Sequence, residues 1–562
     1  MVSARDELQA AVSGHPGSQL LLGQERLVRA VSFPGWLESW VLLVQGAQTS
    51  LEVLRDAWVW RARPPWASSS QHWNMWSICE FLLVTLLSLV LINYMKMQWS
   101  ARPLPPGPSP LPLIGNLWTL KFSLHPDILN QIAKRYGTTF TIWMGQTPIV
   151  VLHGLQAVKD ALVSLSEEMS GRPVAGYAKA LARGRGIAVT NGHIWRQQRR
   201  FGLSTLRNLG LGKRGLESRI QEESRCLVES FASNNGKPMD CNYVITHAVA
   251  NVISAVVFGH RFSSDDVTFQ KLVEGNDYLF VSLGSKWGRL YDAFPWLMNR
   301  VPGPHQKAFG KKEYLEDFVR NELKYHQENV NPEEPNDVID YYLAQITKTK
   351  DEPDTTFDYD NLVQVVIDLF IAGTETTTTT LQWALLFMLV HPEIQEKVQN
   401  ELDAVLETSP VYEDRKRLPY TNAVFHEIQR YANVSGAGVP RSNIKDITLN
   451  GFHVKKGTII LPDLGSVLHD PKYWETPNQF NPNHFLDKDG NFMSNEAFLP
   501  FSAGHRVCLG EQLAQIEMFI FLTTLLKTFS FRLPEGVTEV NTNYILAITL
   551  KPHPFKICAV PR

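Results

Sequence analysis

Hydrophobic residues follow three different patterns along the chain, and the first of them predicts a membrane anchor. Residues 81–92 read FLLVTLLSLVLI, and the only charge between Trp76 and Tyr94 is Glu80. Nineteen helical residues rise about 28 Å, close to the hydrocarbon thickness of a bilayer. A cleaved signal peptide would need a basic stretch before the run and a small-residue cleavage site after it, and neither is present. We therefore predict a transmembrane signal anchor over residues 75–95.

The second pattern is helical, and it dominates the rest of the chain. Its longest example runs from about Asp360 to Val390, is apolar on most sides and stops at His391-Pro392. A helix that is apolar all round is expected to cross the interior of a domain. The third pattern has a period of two and appears at 138–152 and at 447–462, where glycine turns suggest hairpin strands. Together these patterns predict one large, mainly α domain with a minor β region.

A proline-rich stretch separates the anchor from this domain. Residues 102–112 read RPLPPGPSPLP, and proline removes backbone donors and restricts the residue before it. We predict a stiff, extended linker over residues 96–112, followed by a globular domain over 113–562. Lys96 and Arg102 follow the apolar run, so the positive-inside rule predicts that the domain faces the cytoplasm.

The first 74 residues differ from the rest in composition. They contain no Lys and no Tyr, whereas Trp is frequent. This segment is either a real extension or translated upstream sequence that precedes a natural start at Met75. The second interpretation is favoured, because normal composition and the anchor follow Met75. Detection of peptides from before Met75 by mass spectrometry of the natural protein would overturn it.

Charge and cysteine content exclude several classes of protein. Lys and Arg number 54 and Asp and Glu 56, so the net charge of −2 leaves no basic excess to neutralise a nucleic-acid backbone. The five cysteines are widely spaced and form no CxxC pair, which argues against a disulfide framework and a structural zinc site.

A loop near the C-terminus has the composition of a metal-ligand site. Its sequence is Phe501-Ser-Ala-Gly504-His-Arg506-Val-Cys508-Leu-Gly510, and an apolar segment follows. Glycines allow the backbone to approach a flat ligand closely. A helix that begins just after Cys508 would place its positive end near the sulfur and favour the thiolate, the form that binds iron. An isolated cysteine would more often be an inert core residue, but the spacing around Cys508 weakens that interpretation.

A second motif, Ala372-Gly373-Thr374-Glu375-Thr376, lies midway along the long helical segment. Glycine costs about 1 kcal/mol in a helix interior, so a break with a hydroxyl bonded back to a freed carbonyl is expected here. The acid of Glu375 and the hydroxyl of Thr376 are suited to proton delivery. A threonine-rich packing face explains the same residues equally well when the motif is considered alone.

Two further motifs carry paired charges or an aromatic residue. Glu427-Ile-Gln-Arg430 places an acid and a base on one helix face, an arrangement that is common on surfaces. Trp195 and Arg199 lie four residues apart in WRQQRR, where Arg196 and Arg200 are expected to be solvated.

The four motifs resemble the signatures of the cytochrome P-450 superfamily, and they follow one another along the chain in the order typical of that family. They match F-x-x-G-x-R-x-C-x-G, A/G-G-x-D/E-T, E-x-x-R and W-x-x-x-R. The resemblance runs from about Met75 to the end of the chain. Stretches at 206–223, 368–386 and 419–430 are most similar to microsomal family two and nearest to its subfamily J. The resemblance implies the P-450 fold, with a single large haem domain that follows the anchor.

The resemblance also implies a cofactor and roles for individual residues. The cofactor would be haem b (iron protoporphyrin IX), with Cys508 as the axial thiolate ligand of the iron. Thr376 and Glu375 would be the alcohol and acid of oxygen activation. Glu427 and Arg430 would help to set the fold beneath the haem, and His484 replaces the arginine that is their usual third partner, which puts a fixed third cation in doubt. The remaining cofactor-binding residues would be Arg183, Trp195, Arg199, Arg441, Phe501 and Arg506, with Trp195 and the arginines at the propionates.

The implied function is a membrane-bound monooxygenase of the endoplasmic reticulum that acts on lipophilic substrates, by resemblance polyunsaturated fatty acids such as arachidonate, and xenobiotics. No Rossmann fingerprint or flavin motif is present. Electrons from NADPH would therefore come through NADPH–cytochrome P-450 reductase, with cytochrome b5 as a second donor and O2 as the oxidant.

Two alternative functions remain open. One is a haem-thiolate isomerase or hydroperoxide-rearranging enzyme, and the other is a non-enzymatic haem carrier or sensor. The expected substrate walls are 174–182, 274–295, Phe370–Gly373, Val434–Val439 and the turn near Ile545.

Overall fold

The computed structural model describes residues 71–210, 214–329 and 334–562. Almost all of the predicted extension 1–74 lies outside these described residues. Residues 89–562 form one compact unit that contains every predicted site residue.

The predicted anchor lies in helix α1 (Gln71–Ala101), whose segment Ile78–Ala101 is long and apolar enough to cross a membrane. Large apolar side chains of this helix are exposed, as a lipid-facing helix requires, and Phe81 is 70% exposed. The helix continues to Ala101, beyond the predicted boundary at residue 95.

The proline-rich segment, predicted to be a stiff and extended linker, packs on the domain. The Pro106 carbonyl accepts a hydrogen bond from the Thr141 N–H at 3.0 Å, and Pro105 and Pro110 are buried. A Cβ on Gly107 would lie 1.9 Å from the Thr141 carbonyl oxygen, so only glycine fits there. Prolines that lack a donor can still present carbonyls to a neighbouring strand, which explains the docking.

Helices form most of the domain, as predicted. The central one, α13 (Tyr359–Val390), has 32 residues, begins at the Asp358 side chain that caps Asn361 N–H, and ends before Pro392. The other α-helices in the described part of the chain are α2 (Pro126–Tyr136), α3 (Leu155–Lys159), α4 (Tyr177–Ala182), α5 (Gly192–Asn208), α6 (Arg214–Ala232), α7 (Asn242–Val257), α8 (Val267–Gly284), α9 (Lys286–Ala293), α10 (Pro295–Met298), α11 (Pro304–Asn329), α12 (Val338–Thr349), α14 (Pro392–Val405), α15 (Pro419–Ala432), α16 (Leu464–Leu468) and α17 (Glu511–Thr528).

The β region is small and is built from short strands. These are β1 (Thr139–Met144), β2 (Thr147–His153), β3 (Arg441–Ser442), β4 (Ile447–Leu449), β5 (Phe452–Val454), β6 (Ile459–Asp463), β7 (Phe529–Arg532), β8 (Tyr544–Leu546), β9 (Leu550–Pro552) and β10 (Cys558–Pro561).

The predicted hairpins are partly confirmed. Strands β1 and β2 pair antiparallel, and so do β4 and β5. Strand β6 leaves the second hairpin and joins β2 in parallel and β3 in antiparallel register, giving the sheet order β1-β2-β6-β3. Because β6 is buried at four of its five positions, it belongs in the centre of a sheet rather than at an exposed hairpin.

The helix break that Gly373 predicts does not exist, because α13 is continuous through this position. The glycine instead permits a close helix crossing. A Cβ on Gly373 would lie 2.4 Å from Cδ1 and 2.8 Å from Cγ1 of Ile253 in α7. Ile253 is buried, so it has little room to move away.

We predict that Gly373→Ala destabilises the protein by about 1–3 kcal/mol, because the added methyl overpacks the crossing of α7 and α13. The measurement is thermal unfolding of the full chain in detergent. Gly310→Ala is the matched control, since Gly310 also lies within a helix and its Cβ would meet no atom within 4 Å. Gly310→Ala should be neutral or mildly stabilising, and equal losses in both variants would contradict the packing role.

Candidate functional site

The loop before α17 holds Cys508 in place through backbone contacts. The Cys508 N–H donates to the Phe501 carbonyl at 3.0 Å, and Arg199 donates to the Val507 carbonyl at 2.7 Å. Gly504 has φ +73°, and its Cβ would lie 1.9 Å from the Leu162 carbonyl oxygen. Gly504 therefore serves packing against protein backbone rather than the approach of a ligand, in contrast to the expectation from sequence. Around Gly510, by contrast, a Cβ would meet no atom within 4 Å.

Cys508 is exposed, yet its environment is that of a protein interior. Burial raises the pKa of the Cys508 thiol, and the nearby Glu511 carboxylate acts in the same direction. The N–H groups of Gly510 and Glu511 and the charge of Arg199 act to lower that pKa. The helix end thus favours the thiolate as predicted, but burial outweighs it, and a bound metal ion would reverse this balance because coordination deprotonates a thiol.

The central helix presents one accessible face within a buried environment. Ala372 and Thr376 are exposed, whereas Thr374, Glu375 and Thr377 are buried. Ala372 and Thr376 lie one turn apart, so they share a face. The Thr376 hydroxyl donates to the Ala372 carbonyl at 2.8 Å, the back-bond that was expected. Helix α13 contacts helix α17, which begins three residues after Cys508.

Glu375 does not face the same way as Thr376. Adjacent helical residues are about 100° apart around the axis, and the Glu375 carboxylate forms an ion pair with Lys551 of β9 at 2.6 Å. The hydroxyl groups of Thr379 and Thr549 also donate to it, at 3.3 and 3.4 Å. The structure therefore separates the acid and the alcohol that the sequence places side by side.

Four arginines from four segments form a cationic cluster, which we call the arginine cradle. Its members are Arg172, Arg199 of α5, Arg441 of β3 and Arg506. Burial, and to a smaller extent the charges of the neighbouring cradle arginines, lower the pKa of Arg441 and of Arg506 to about 8. The pKa of Arg172 falls to about 10 for the same reasons. Guanidinium groups keep their protons in proteins, so these shifts report a strong demand for a negative charge.

No described carboxylate meets that demand within the cradle. Three buried donors there have no hydrogen-bond partner, namely Nε and Nη1 of Arg441 and Nε1 of Trp195. The Arg506 guanidinium lies over the Trp195 ring at 3.9 Å and donates to the Ser170 and Thr190 carbonyls at 2.7 and 2.6 Å. Unpartnered donors and clustered cations are the chemistry that binds carboxylates. The cradle therefore fits an anionic group such as a haem propionate.

The structure does not bring Arg183 into the cradle, and it places there Arg172, which the sequence analysis did not name. Arg183 is not in the cradle, because it is exposed and pairs with Glu316 and Glu313 of α11 at 3.3 and 3.9 Å. It is the C-cap of α4, in the left-handed conformation with φ +51°. Arg172, which no motif identified, lies in the cradle and donates to the Pro440 carbonyl at 2.7 Å. Arg196 and Arg200 are exposed, as expected.

The pair Glu427–Arg430 is fully buried and bidentate, with both N···O distances 2.7 Å. Arg430 also donates to the carbonyls of Leu468, Pro477 and Gln479 at 2.8–2.9 Å. This arrangement ties α15 to the segment 477–485. The alternative of a solvated surface pair is therefore wrong for this motif.

His484 takes the third position beside this pair. Its Nδ1 lies 3.2 Å from both Glu427 oxygens, while Nε2 accepts the Thr476 N–H at 3.2 Å. If Nε2 is an acceptor, Nδ1 carries the proton and donates it to Glu427. A neutral histidine thus completes the network without a third cation.

The residues expected to form the substrate walls are divided between buried core positions and exposed positions. Phe370 and Phe280 are buried, and Phe370 packs near Phe258 at 6.2 Å between ring centroids, so it is a core residue. Val439 and Ile545 are 53% and 40% exposed and remain candidates for the wall. A separate surface cavity of about 470 Å³ between α6, α7 and residues 261–264 contains none of the predicted site residues.

Comparison with known proteins shows which family of proteins the chain resembles. The family model described as Cytochrome P450 matches residues 105–559. The human protein named cytochrome P450 2J2 is 41% identical over 493 residues, covering 87% of this chain and 98% of its own length. Mouse cytochrome P450 2J5 is 41% identical over 492 residues, with 87% and 97% coverage. Human cytochrome P450 2C8 is 41% identical over 483 residues, with 85% and 99% coverage.

We predict that Glu427→Ala destabilises the protein by about 3–5 kcal/mol, because it leaves the Arg430 charge buried without its partner. The measurement is thermal unfolding of the full chain. The matched control is Glu413→Ala, which removes an exposed ion pair of the same i, i+3 spacing with Lys416. The control should leave the unfolding temperature unchanged. A loss in Glu427→Ala no larger than in the control would contradict the structural role of the pair.

Proposed function

The chain belongs to the cytochrome P450 family and is a haem-dependent monooxygenase that acts on lipophilic substrates; on this premise we propose that its cofactor is haem b with Cys508 as the axial ligand of the iron. The exposed sulfur of Cys508 and the unsatisfied arginine cradle support this proposal. The sequence has no CxxCH attachment motif, which favours a porphyrin held without covalent bonds.

Trp195, Arg199, Arg441, Arg506 and the newly identified Arg172 would hold the two propionates. The carboxylates would satisfy the unpartnered donors of Trp195 and Arg441 and offset the charge of the cradle. When bound, the haem supplies activation of O2 and transfer of one oxygen atom to substrate. The contribution of Phe501 is its carbonyl, which holds the Cys508 N–H.

The central helix would position the substrate and the proton. Ala372 leaves space on the accessible face of α13, and the Thr376 hydroxyl on that face can hold a water or pass a proton. Its bond to the Ala372 carbonyl fixes the hydroxyl oxygen on this face. Glu375, held by Lys551, is the acid that would exchange protons with this hydroxyl through water. This acid–alcohol pair favours oxygenation over the isomerase and carrier alternatives, which need no proton supply.

We propose polyunsaturated fatty acids such as arachidonate as substrates, giving epoxides and hydroxy acids, with xenobiotics as further substrates. The exposed Val439 and Ile545 offer apolar surface to a lipid chain. The electron donors would be NADPH–cytochrome P-450 reductase and cytochrome b5, because the chain has no flavin or nicotinamide motif. The protein would be anchored in the endoplasmic reticulum with its domain on the cytoplasmic side, as Lys96 and Arg102 after the apolar run suggest.

The proposed ligand predicts a spectral result. Cys508→Ala should abolish the thiolate-type spectrum of the ferrous carbonyl complex, since no thiolate then donates to the iron. The control is Cys226→Ala, which removes a half-buried cysteine outside the loop and should leave that spectrum intact. Retention of the thiolate-type spectrum in Cys508→Ala would reject the ligand assignment.

The proposed substrate is tested by product analysis. The full chain, reconstituted with reductase in lipid, is incubated with arachidonate and NADPH, and we expect epoxides and hydroxy acids that depend on both NADPH and reductase. Omission of reductase is the control. Products without NADPH would favour the isomerase class, and absence of oxygenated products would remove the fatty-acid proposal.

A further inference from the structure

A chain of three charged groups connects the surface to the central helix. The Asp277 carboxylate of α8 is 56% exposed and contacts the Lys551 ammonium of β9. That ammonium also lies 2.6 Å from the Glu375 carboxylate, and the exposed fraction falls to 17% at Lys551 and 5% at Glu375. These three residues lie on three separate elements, α8, β9 and α13, and no sequence motif contains all three of them.

The two charged groups that act on the Glu375 carboxylate are Lys551 and Asp277. Burial raises the pKa of Glu375, the adjacent Lys551 cation acts to lower it, and Asp277 acts to raise it. Thr379 on α13 and Thr549 in the turn before β9 contribute only hydroxyl groups. Lys551 is therefore the one cation among these groups that opposes the effect of burial on this carboxylate.

We propose that Lys551 is a positioning residue for Glu375, which it holds away from the Thr376 face and keeps available for proton exchange with solvent through Asp277. This proposal rests on the proposed function of Glu375 as the acid of the monooxygenase. An ammonium between two carboxylates has two acceptors, so a small movement toward Asp277 frees Glu375. Because β9 belongs to the C-terminal hairpin, that hairpin carries part of the control over proton supply.

The test compares two variants that should shift the same titration in opposite directions. In Lys551→Met the burial of Glu375 is unopposed, so the midpoint of the pH dependence of coupling (product formed per NADPH) should rise by about 1–3 pH units, the effect of an opposite charge at this distance. Asp277→Asn leaves Lys551 to Glu375 alone, so the midpoint should fall. If Lys551 and Asp277 served folding alone, the two substitutions would not move the midpoint in opposite directions.

Controls separate the charge from the side chain. Lys551→Arg keeps the cation and should keep the midpoint near that of the unchanged protein. Lys556→Met removes an exposed lysine five residues further on and should change nothing. The proposal is overturned if Lys551→Met and Asp277→Asn both keep the original midpoint, or if both move it in the same direction.

A second readout is independent of turnover. The infrared band of the protonated Glu375 carboxyl, assigned by its loss in Glu375→Gln, should persist to higher pH in Lys551→Met and disappear at lower pH in Asp277→Asn. If the unchanged protein forms no oxygenated product, the proposed function fails, whereas this titration still decides whether Lys551 controls Glu375. Identical titrations in all variants would reject the role of Lys551.

Discussion

The mutual repulsion of the arginine cradle is the constraint on which the site depends. Each guanidinium is held by backbone carbonyls of another segment, as Arg199 is by Val507 and Arg172 by Pro440. These bonds fix the positions of the cations but do not neutralise them. An anion from outside the chain would offset this charge, and the propionates of the proposed haem would bring two negative charges to the loop that carries Cys508.

The central helix meets three environments with three neighbouring residues. Gly373 allows α7 to approach, Glu375 turns to Lys551, and Thr376 faces the accessible side. A rotation of about 100° per residue makes this division possible. It also explains why a continuous helix can serve packing, charge and chemistry without the break that the glycine suggests.

The buried network beneath the site shows how a substitution preserves a role. The pair of Glu427 and Arg430 needs a third hydrogen-bond donor, and His484 supplies it through Nδ1 while Thr476 fixes the ring through Nε2. Donor geometry matters here more than a full positive charge. A buried carboxylate that already pairs with one guanidinium does not need a second cation to be satisfied.

The sequence by itself determined the anchor, the long central helix and the mainly α domain, and it proposed Cys508, Thr376, Trp195 and Arg506 as site residues, because hydrophobic periodicity and short motifs are local properties. Only the tertiary structure decided which charges meet. It left Arg183 outside the arginine cradle, placed Arg172 within it and paired Glu375 with Lys551, which lies 176 positions further along the chain. Such contacts depend on how distant segments pack, and one-dimensional spacing carries no information about the partner that a buried charge will find.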